Sequence, residues 1–219
     1  MISMVKQEKK LLFITLLLIC IYILYFIIAF NTAYKNNFLV RLRDVNMSNV
    51  LPKFIFDILT MYLPVSIFFL FLKKVHQDEK PNKLSMILLC IYLSLSIYNI
   101  YERDLTIRGI YALFYYFGVG FSEEMIFRQY LYNSLRISTK PAIAVIVSGG
   151  MWGMVHGILP SIIYQYPMWK AILACSDWLG GALFGLLYIY IMKKTKSIWN
   201  CIFIHSILDF SGYIIDMYY

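Results

Sequence analysis

The twenty residues Leu11–Phe30 read LLFITLLLICIYILYFIIAF and include no charged residue. About 20 apolar residues in an α-helix are enough to cross the hydrocarbon core of a bilayer. Lysines precede this run, as in a secretory signal peptide, at Lys6, Lys9 and Lys10. The run is nevertheless longer than the apolar region of a signal peptide, about 7–15 residues, and no convincing small-residue cleavage site follows it. We therefore expect a retained first transmembrane helix.

The rest of the chain contains further stretches of comparable length and apolar character. By the same length criterion they are 54–72, 84–101, 109–135, 141–158, 170–192 and 197–217. An eighth span would follow if residues 159–175, which contain Pro160 and Pro167, form a short or re-entrant piece. The expected fold class is all-α: a polytopic transmembrane helical bundle of about seven, or else eight, spans.

Composition indicates the same class of protein. The 219 residues are 61% hydrophobic and only 15% charged, whereas soluble domains carry about 25% charged residues. The net charge of +8 comes from lysines and arginines gathered in short clusters between apolar runs, where such residues determine topology. We therefore expect no nucleic-acid partner. The prediction is one integral membrane domain over residues 1–219, with several spans in the cell membrane and the lipid bilayer as its surroundings.

Residues 121–128 read FSEEMIFR and place two adjacent carboxylates and a guanidinium inside a predicted span. Ionisable groups at membrane depth are costly and indicate a functional site by default. Glu124 and Arg128 are four residues apart, so they share a helix face and can form an ion pair. Glu123 is rotated by about 100° from Glu124 and is left free to act on water as a general base. The alternative is an interhelical polar clamp that serves only stability.

Two further polar positions lie in later spans. His156 belongs to a segment with glycines at every fourth position, Gly149, Gly153 and Gly157. Such a series allows another helix to approach closely. His205 and Asp209 are again four residues apart, and this pair could orient an imidazole, hold a metal or line an oxyanion site. Each position could instead be a hydrogen-bonded packing contact.

Several established catalytic patterns are missing from the chain. It contains no H-E-x-x-H zinc motif, no G-x-S-x-G nucleophile motif and no Walker loop. The cysteines lie in apolar runs without C-x-x-C spacing, which argues against a disulfide framework or a thiolate zinc site. The carboxylates and histidines therefore remain as the candidate chemistry.

Taken in order, these motifs resemble the CAAX protease and bacteriocin-processing family (CPBP, or Abi, family). Its pattern is Glu-Glu-x-x-x-Arg, then Ser/Phe-x-x-x-His, then His-x-x-x-Asn/Asp. The matching residues are Glu123, Glu124 and Arg128, then Ser148, Trp152 and His156, then His205 and Asp209. The stretch from Gly185 to Trp199 is also similar to members of the family. The resemblance covers about residues 110–210, the expected catalytic core, whereas the first hundred residues contain only generic spans.

The resemblance implies an intramembrane endopeptidase, a hydrolase without a cofactor that cleaves a peptide or a membrane-anchored protein. Glu123 would be the general base, and His156 would hold the same water. His205 and Asp209 would stabilise the oxyanion, which is typically the largest catalytic term. Glu124 and Arg128 would support the site.

The chain departs from the family pattern at two positions. Trp152 stands where phenylalanine is usual, which is an exchange of one aromatic residue for another. Asp209 stands where CAAX proteases have asparagine, and an ionised aspartate cannot donate a hydrogen bond to an oxyanion. Asp209 would have to be protonated, or else orient His205 as the donor. An aspartate at this position also leaves zinc as an alternative cofactor. Carboxylate and imidazole groups are ligands that zinc accepts, and here they would be Glu123, His156, His205 and Asp209.

Other functions remain open at this point. One alternative is a non-catalytic membrane protein for bacteriocin self-immunity or regulation, which would bind a partner through the same bundle. A small transporter with Glu123, Glu124 and Asp177 along its path is less favoured, because no pair of broken helices in symmetric halves is evident. The resemblance does not choose among prenylated CAAX termini, bacteriocin leaders and signalling peptides as substrates.

Overall fold

The computed structural model describes residues 2–75, 80–102, 106–173 and 175–216. None of these residues lies in a β-strand, and most of them are helical. The predicted all-α fold class is therefore confirmed for the part of the chain that is described. The protein is a helical bundle.

The α-helices are numbered here in chain order. They are α1 (Ile2–Lys35), α2 (Val50–Asp57), α3 (Leu63–Leu72), α4 (Lys83–Glu102), α5 (Ile107–Glu123), α6 (Asn133–Ser138), α7 (Pro141–Tyr164), α8 (Met168–Ile172), α9 (Cys175–Thr195) and α10 (Ile198–Asp216). Two π-helices, Ile58–Tyr62 and Glu124–Tyr132, join α2 to α3 and α5 to α6. Short 3₁₀ helices lie at Leu42–Asp44 and Lys73–Val75.

Within the described residues, each predicted span corresponds to helical structure. The span 170–192 is divided between α8 and α9, with residue 174 outside the described residues, and the last span ends at residue 217, also outside them. Among the described residues, four helices are long and apolar enough to cross a membrane. They are Glu8–Lys35, Val50–Leu72, Lys83–Glu102 and Pro141–Tyr164. The count of seven spans stays a prediction. Beyond residue 158, α7 continues through Pro160 to Tyr164, and the five-residue α8 follows it.

Large apolar side chains are exposed along several helices, for example Phe13, Leu24, Leu70, Ile97 and Leu183. In water, an apolar surface of this extent would drive association. In a bilayer the same side chains face lipid, while the backbone polar groups are bonded within the helices. The protein is therefore a membrane protein.

The second π-helix forms the centre of the bundle. All nine of its residues, Glu124–Tyr132, are buried. It contacts α3, α5, α7 and α10, among other elements. In a π-helix the backbone bonds run from residue i to i+5, and such segments are frequent at functional sites. The first residue of this segment is the second glutamate of the FSEEMIFR stretch.

Gly149 and Gly153 of α7 lie against α9, and the close approach of a second helix is what their spacing predicts. A Cβ atom on Gly149 would lie 2.5 Å from the carbonyl oxygen of Gly181. A Cβ atom on Gly153 would lie 1.9 Å from the carbonyl oxygen of Asp177. Both distances are shorter than any side chain permits, so the two helices touch backbone to backbone. This contact fixes the position of α7, which carries Trp152 and His156.

Candidate active site

Three parts of the chain meet around the carboxylate of Glu123, the last residue of α5. Its Oε2 atom lies 3.7 Å from Nε2 of His156 in α7 and 3.7 Å from Nε2 of His205 in α10. These separations exceed a direct hydrogen bond of about 2.7–3.2 Å. They suit a single bridging water or substrate atom. The structure thus brings the glutamate and both histidines of the sequence motifs to one place.

His205 is held in its orientation by Glu124. Its Nδ1 atom lies 2.8 Å from Oε1 of Glu124. Because an ionised carboxylate only accepts hydrogen bonds, Nδ1 carries the proton and donates it. The ring also stacks on Tyr188, with centroids 5.6 Å apart and planes inclined by 20°. Both contacts direct Nε2 of His205 towards Glu123.

Asp209 lies beside the Nε2 atom of the His205 ring. Its Oδ2 atom is 3.5 Å from Nε2 of His205, as the i,i+4 spacing predicts. The sequence makes Asp209 a candidate for orienting His205. In the structure, Nδ1 of His205 bonds to Glu124, while Asp209 and Glu123 both face Nε2 of the same ring.

The tautomer of neutral His156 follows from its backbone contact. Its Nδ1 atom lies 2.9 Å from the carbonyl oxygen of Trp152. A carbonyl only accepts, so Nδ1 carries the proton and Nε2 of the neutral ring presents a lone pair to Glu123. The His156 side chain is 47% exposed, whereas that of His205 is 4% exposed. The site therefore opens on the His156 side and is closed behind His205.

Arg128 and Glu124 form the predicted ion pair. Nη1 of Arg128 lies 3.4 Å from Oε1 of Glu124, and both side chains are fully buried. The guanidinium also lies over the rings of Trp152, at 4.6 Å, and Tyr188, at 5.1 Å. Removing one partner of a buried ion pair is costly because it leaves an uncompensated charge. Arg128 thus compensates the charge of the carboxylate that orients His205.

Trp152 contributes a contact that the sequence did not predict. Its indole N–H donates a hydrogen bond to Oε2 of Glu123 at 2.5 Å. Phenylalanine, which is usual at this position of the family pattern, has no such donor. A tryptophan at a position where the family pattern has phenylalanine is therefore the signal in the sequence that points to this donor.

Two other residues named from the sequence lie apart from these contacts. Ser148 is buried in α7, and its hydroxyl donates to the carbonyl of Val145 in the same helix. Asp177, considered for a transport path, lies in the first turn of α9, where its carbonyl oxygen packs against Gly153.

The site presents imidazole and carboxylate groups, which are the ligand types that zinc takes. Within residues 2–75, 80–102, 106–173 and 175–216, no group of three or more His, Cys, Asp or Glu side chains is arranged to hold a metal ion.

Comparison with known proteins bears on the same segment. Residues 106–211 match the sequence model of a family described as type II CAAX prenyl endopeptidase Rce1-like. The matched segment contains Glu123, His156, His205 and Asp209. No curated protein and no solved structure matches the chain. The resemblance drawn from the motifs is thereby confirmed. Through residues 106–211, the protein is therefore similar to the Rce1-like family, and so to the CAAX protease and bacteriocin-processing family.

Proposed function

We propose that this protein is an intramembrane endopeptidase in which Glu123 activates water to cleave a peptide bond. The observation that carries the proposal is the convergence of both histidine Nε2 atoms, each at 3.7 Å, on Oε2 of Glu123. The similarity of residues 106–211 to a protease family supports it. The substrate is a peptide or a membrane-anchored protein, and the place of action is the cell membrane.

The first step follows from the lone pairs that face the site. A water between Glu123 and His156 donates one hydrogen to Oε2 and the other to the lone pair of Nε2. The water oxygen then presents its own lone pair to the substrate. As that oxygen bonds to the peptide carbonyl carbon, Glu123 takes a proton, and the carbonyl oxygen becomes an oxyanion.

The oxyanion needs a donor, and His205 supplies one. In its charged form the ring carries N–H on both nitrogens, so Nδ1 bonds Glu124 while the Nε2 proton faces the site. A donor fixed before the reaction stabilises developing charge without reorganisation. Before substrate binds, Oδ2 of Asp209, at 3.5 Å from Nε2, keeps that proton directed into the site.

The second step reverses the proton transfer. The protonated Glu123 gives its proton to the amide nitrogen as the carbon–nitrogen bond breaks. The products are a new carboxyl terminus, which contains the oxygen of the water, and a free amine. Glu123 returns to the ionised form.

The test is proteolysis by the purified protein in liposomes. The probe is an S-farnesyl peptide that ends in a CAAX sequence and carries a fluorophore and a quencher, and peptides released from native membranes are identified by mass spectrometry. Wild-type protein is expected to cleave, whereas Glu123→Gln and His156→Ala are expected to be inactive although they insert normally. Glu102→Gln, at the exposed end of α4, is the matched control and keeps full activity. Unchanged release by both site variants would contradict the proposal, as would a bacteriocin-immunity phenotype that survives Glu123→Gln without any release.

A further inference from the structure

Trp152 contacts four groups of the site at once. Its indole N–H bonds Oε2 of Glu123, and the guanidinium of Arg128 lies 4.6 Å above its ring. Its ring centroid is 4.3 Å from that of His156 and 5.8 Å from that of His205, which it meets edge to face. The side chain is buried, with 9% of the residue exposed. One rigid side chain therefore touches the base, both imidazoles and the buried cation.

The hydrogen bond from Trp152 determines how the carboxylate of Glu123 is turned. Each carboxylate oxygen has two acceptor sites, and the indole occupies one of them on Oε2. The second acceptor site on Oε2 remains free. It faces the space between Glu123 and the two histidine Nε2 atoms. An indole N–H is a donor only and cannot exchange roles, so the orientation that it imposes is fixed.

The backbone of the same residue acts on His156. The carbonyl oxygen of Trp152 accepts the Nδ1 proton of that ring and so leaves the lone pair of neutral His156 on Nε2. Trp152 thus contacts both groups that hold the water in the proposed mechanism. The close packing of Gly153 on α9 fixes the backbone from which both contacts are made.

We propose that Trp152 is a positioning residue for catalysis, whose indole N–H orients Glu123 to take the proton from water. This inference rests on the proposed function, since it concerns how the same base works. Phenylalanine at the same position could not make this hydrogen bond, because its ring has no N–H. If the tryptophan only filled space between the helices, its replacement by phenylalanine would lower stability through the lost volume but would not act selectively on kcat.

The substitution Trp152→Phe keeps an aromatic ring beside Arg128 and His156 but removes the N–H, together with part of the indole's buried volume. The loss of volume alone is expected to act on stability, whereas the loss of the N–H is expected to act on kcat. We expect kcat for the farnesyl peptide to fall by about 10- to 100-fold, the usual effect of one hydrogen bond to a charged group. KM is expected to stay within about twofold, because the lost contact acts on the base and not on bound substrate. Trp178→Phe is the matched control, since its indole N–H bonds the backbone carbonyl of Ile172. It is expected to leave both constants unchanged.

A spectroscopic measurement tests the hydrogen bond without the Trp152 variant. The chain has four tryptophans, so the indole N–H signals of protein with isotope-labelled tryptophan can be resolved by NMR in detergent micelles. Glu123→Gln is expected to shift one of these signals strongly upfield, because a neutral amide replaces the charged acceptor. Glu102→Gln is expected to shift none of them.

The outcomes distinguish this inference from the function on which it rests. If Glu123→Gln is inactive and Trp152→Phe has wild-type kcat, only the role of Trp152 is overturned. If no indole signal responds to Glu123→Gln, the hydrogen bond itself is refuted. If Glu123→Gln cleaves the peptide as well as wild type does, the proposed function fails.

Discussion

The imidazole of His205 in α10 is oriented by Glu124, the residue next to the proposed base, through a contact of 2.8 Å between Nδ1 and Oε1. The two adjacent glutamates therefore have different surroundings. Glu124 is fully buried and paired with Arg128, whereas the side chain of Glu123 is 19% exposed and faces both histidine Nε2 atoms. This difference predicts different effects of substitution at the two positions.

Substitution of Glu124 is expected to affect stability as well as activity. Glu124→Ala removes both the acceptor for His205 and the counter-charge of buried Arg128, and the loss of one partner of a buried pair costs about 3–5 kcal/mol. Glu124→Gln loses the charge but keeps an oxygen that can accept the hydrogen bond from Nδ1 of His205. It should therefore be more stable than Glu124→Ala. Thermal unfolding in detergent and kcat measure the two effects. Wild-type stability of Glu124→Ala would contradict the pairing of Glu124 with Arg128.

Asp209 offers a comparison with the family pattern, in which asparagine is usual. An amide N–H can donate to an oxyanion, whereas an ionised carboxylate cannot. We therefore expect Asp209→Asn to retain kcat within about threefold or to raise it, and Asp209→Ala to lower it by about tenfold. Steady-state kinetics with the farnesyl peptide decide between these outcomes. Complete loss of activity in Asp209→Asn would show that the negative charge itself is required.

The contact between α7 and α9 predicts a large difference between two glycines. A Cβ atom on Gly153 would collide with the carbonyl oxygen of Asp177, whereas a Cβ atom on Gly180 would meet nothing within 4 Å. Gly153→Ala is expected to separate the helices at a cost of about 1–3 kcal/mol. It should also lower kcat, because Trp152 and His156 move with α7.

Gly180→Ala serves as the control for this experiment. It introduces the same methyl group in the neighbouring helix without a collision, and alanine is the better helix former. It should melt at or above the wild-type temperature and cleave normally. Equal melting temperatures for the two variants would mean that the backbone contact at Gly153 is absent.

Metal removal tests the choice between a cofactor-free site and zinc. In the proposed mechanism Glu123 and the histidines act on water directly, so dialysis against EDTA or 1,10-phenanthroline should leave kcat unchanged. Elemental analysis of the purified, active protein should give far less than one zinc per chain. Stoichiometric zinc, with activity lost on chelation and restored by added metal, would instead support the zinc alternative at the same four residues.

The sequence predicted the features of the molecule that depend on local spacing. The length of each apolar run predicted the helices, and the i,i+4 spacing predicted both the pair of Glu124 with Arg128 and that of His205 with Asp209. Glycines at every fourth position predicted the close packing of α7. Each of these features is a property of one helix and of the face that it presents.

The features that escaped prediction depend on contacts between distant helices. The hydrogen bonds of Glu124 with His205 and of Trp152 with Glu123 join residues from separate helices, so no spacing within one helix encodes them. The π-helix at Glu124–Tyr132 also has no signature in the apolar pattern. Its buried charges are stabilised by partners from α7, α9 and α10, which pack around it.

The most direct test of the account is hydrolysis of the farnesyl CAAX peptide in ¹⁸O-labelled water by wild-type protein and by Glu123→Gln. The account predicts that the wild-type product carries one labelled oxygen in its new carboxyl terminus. It also predicts that Glu123→Gln, which differs only by an amide in place of the carboxylate, loses at least about 100-fold in kcat, as expected for a missing general base. Labelled product formed by Glu123→Gln at a rate near that of wild type would contradict the role of Glu123.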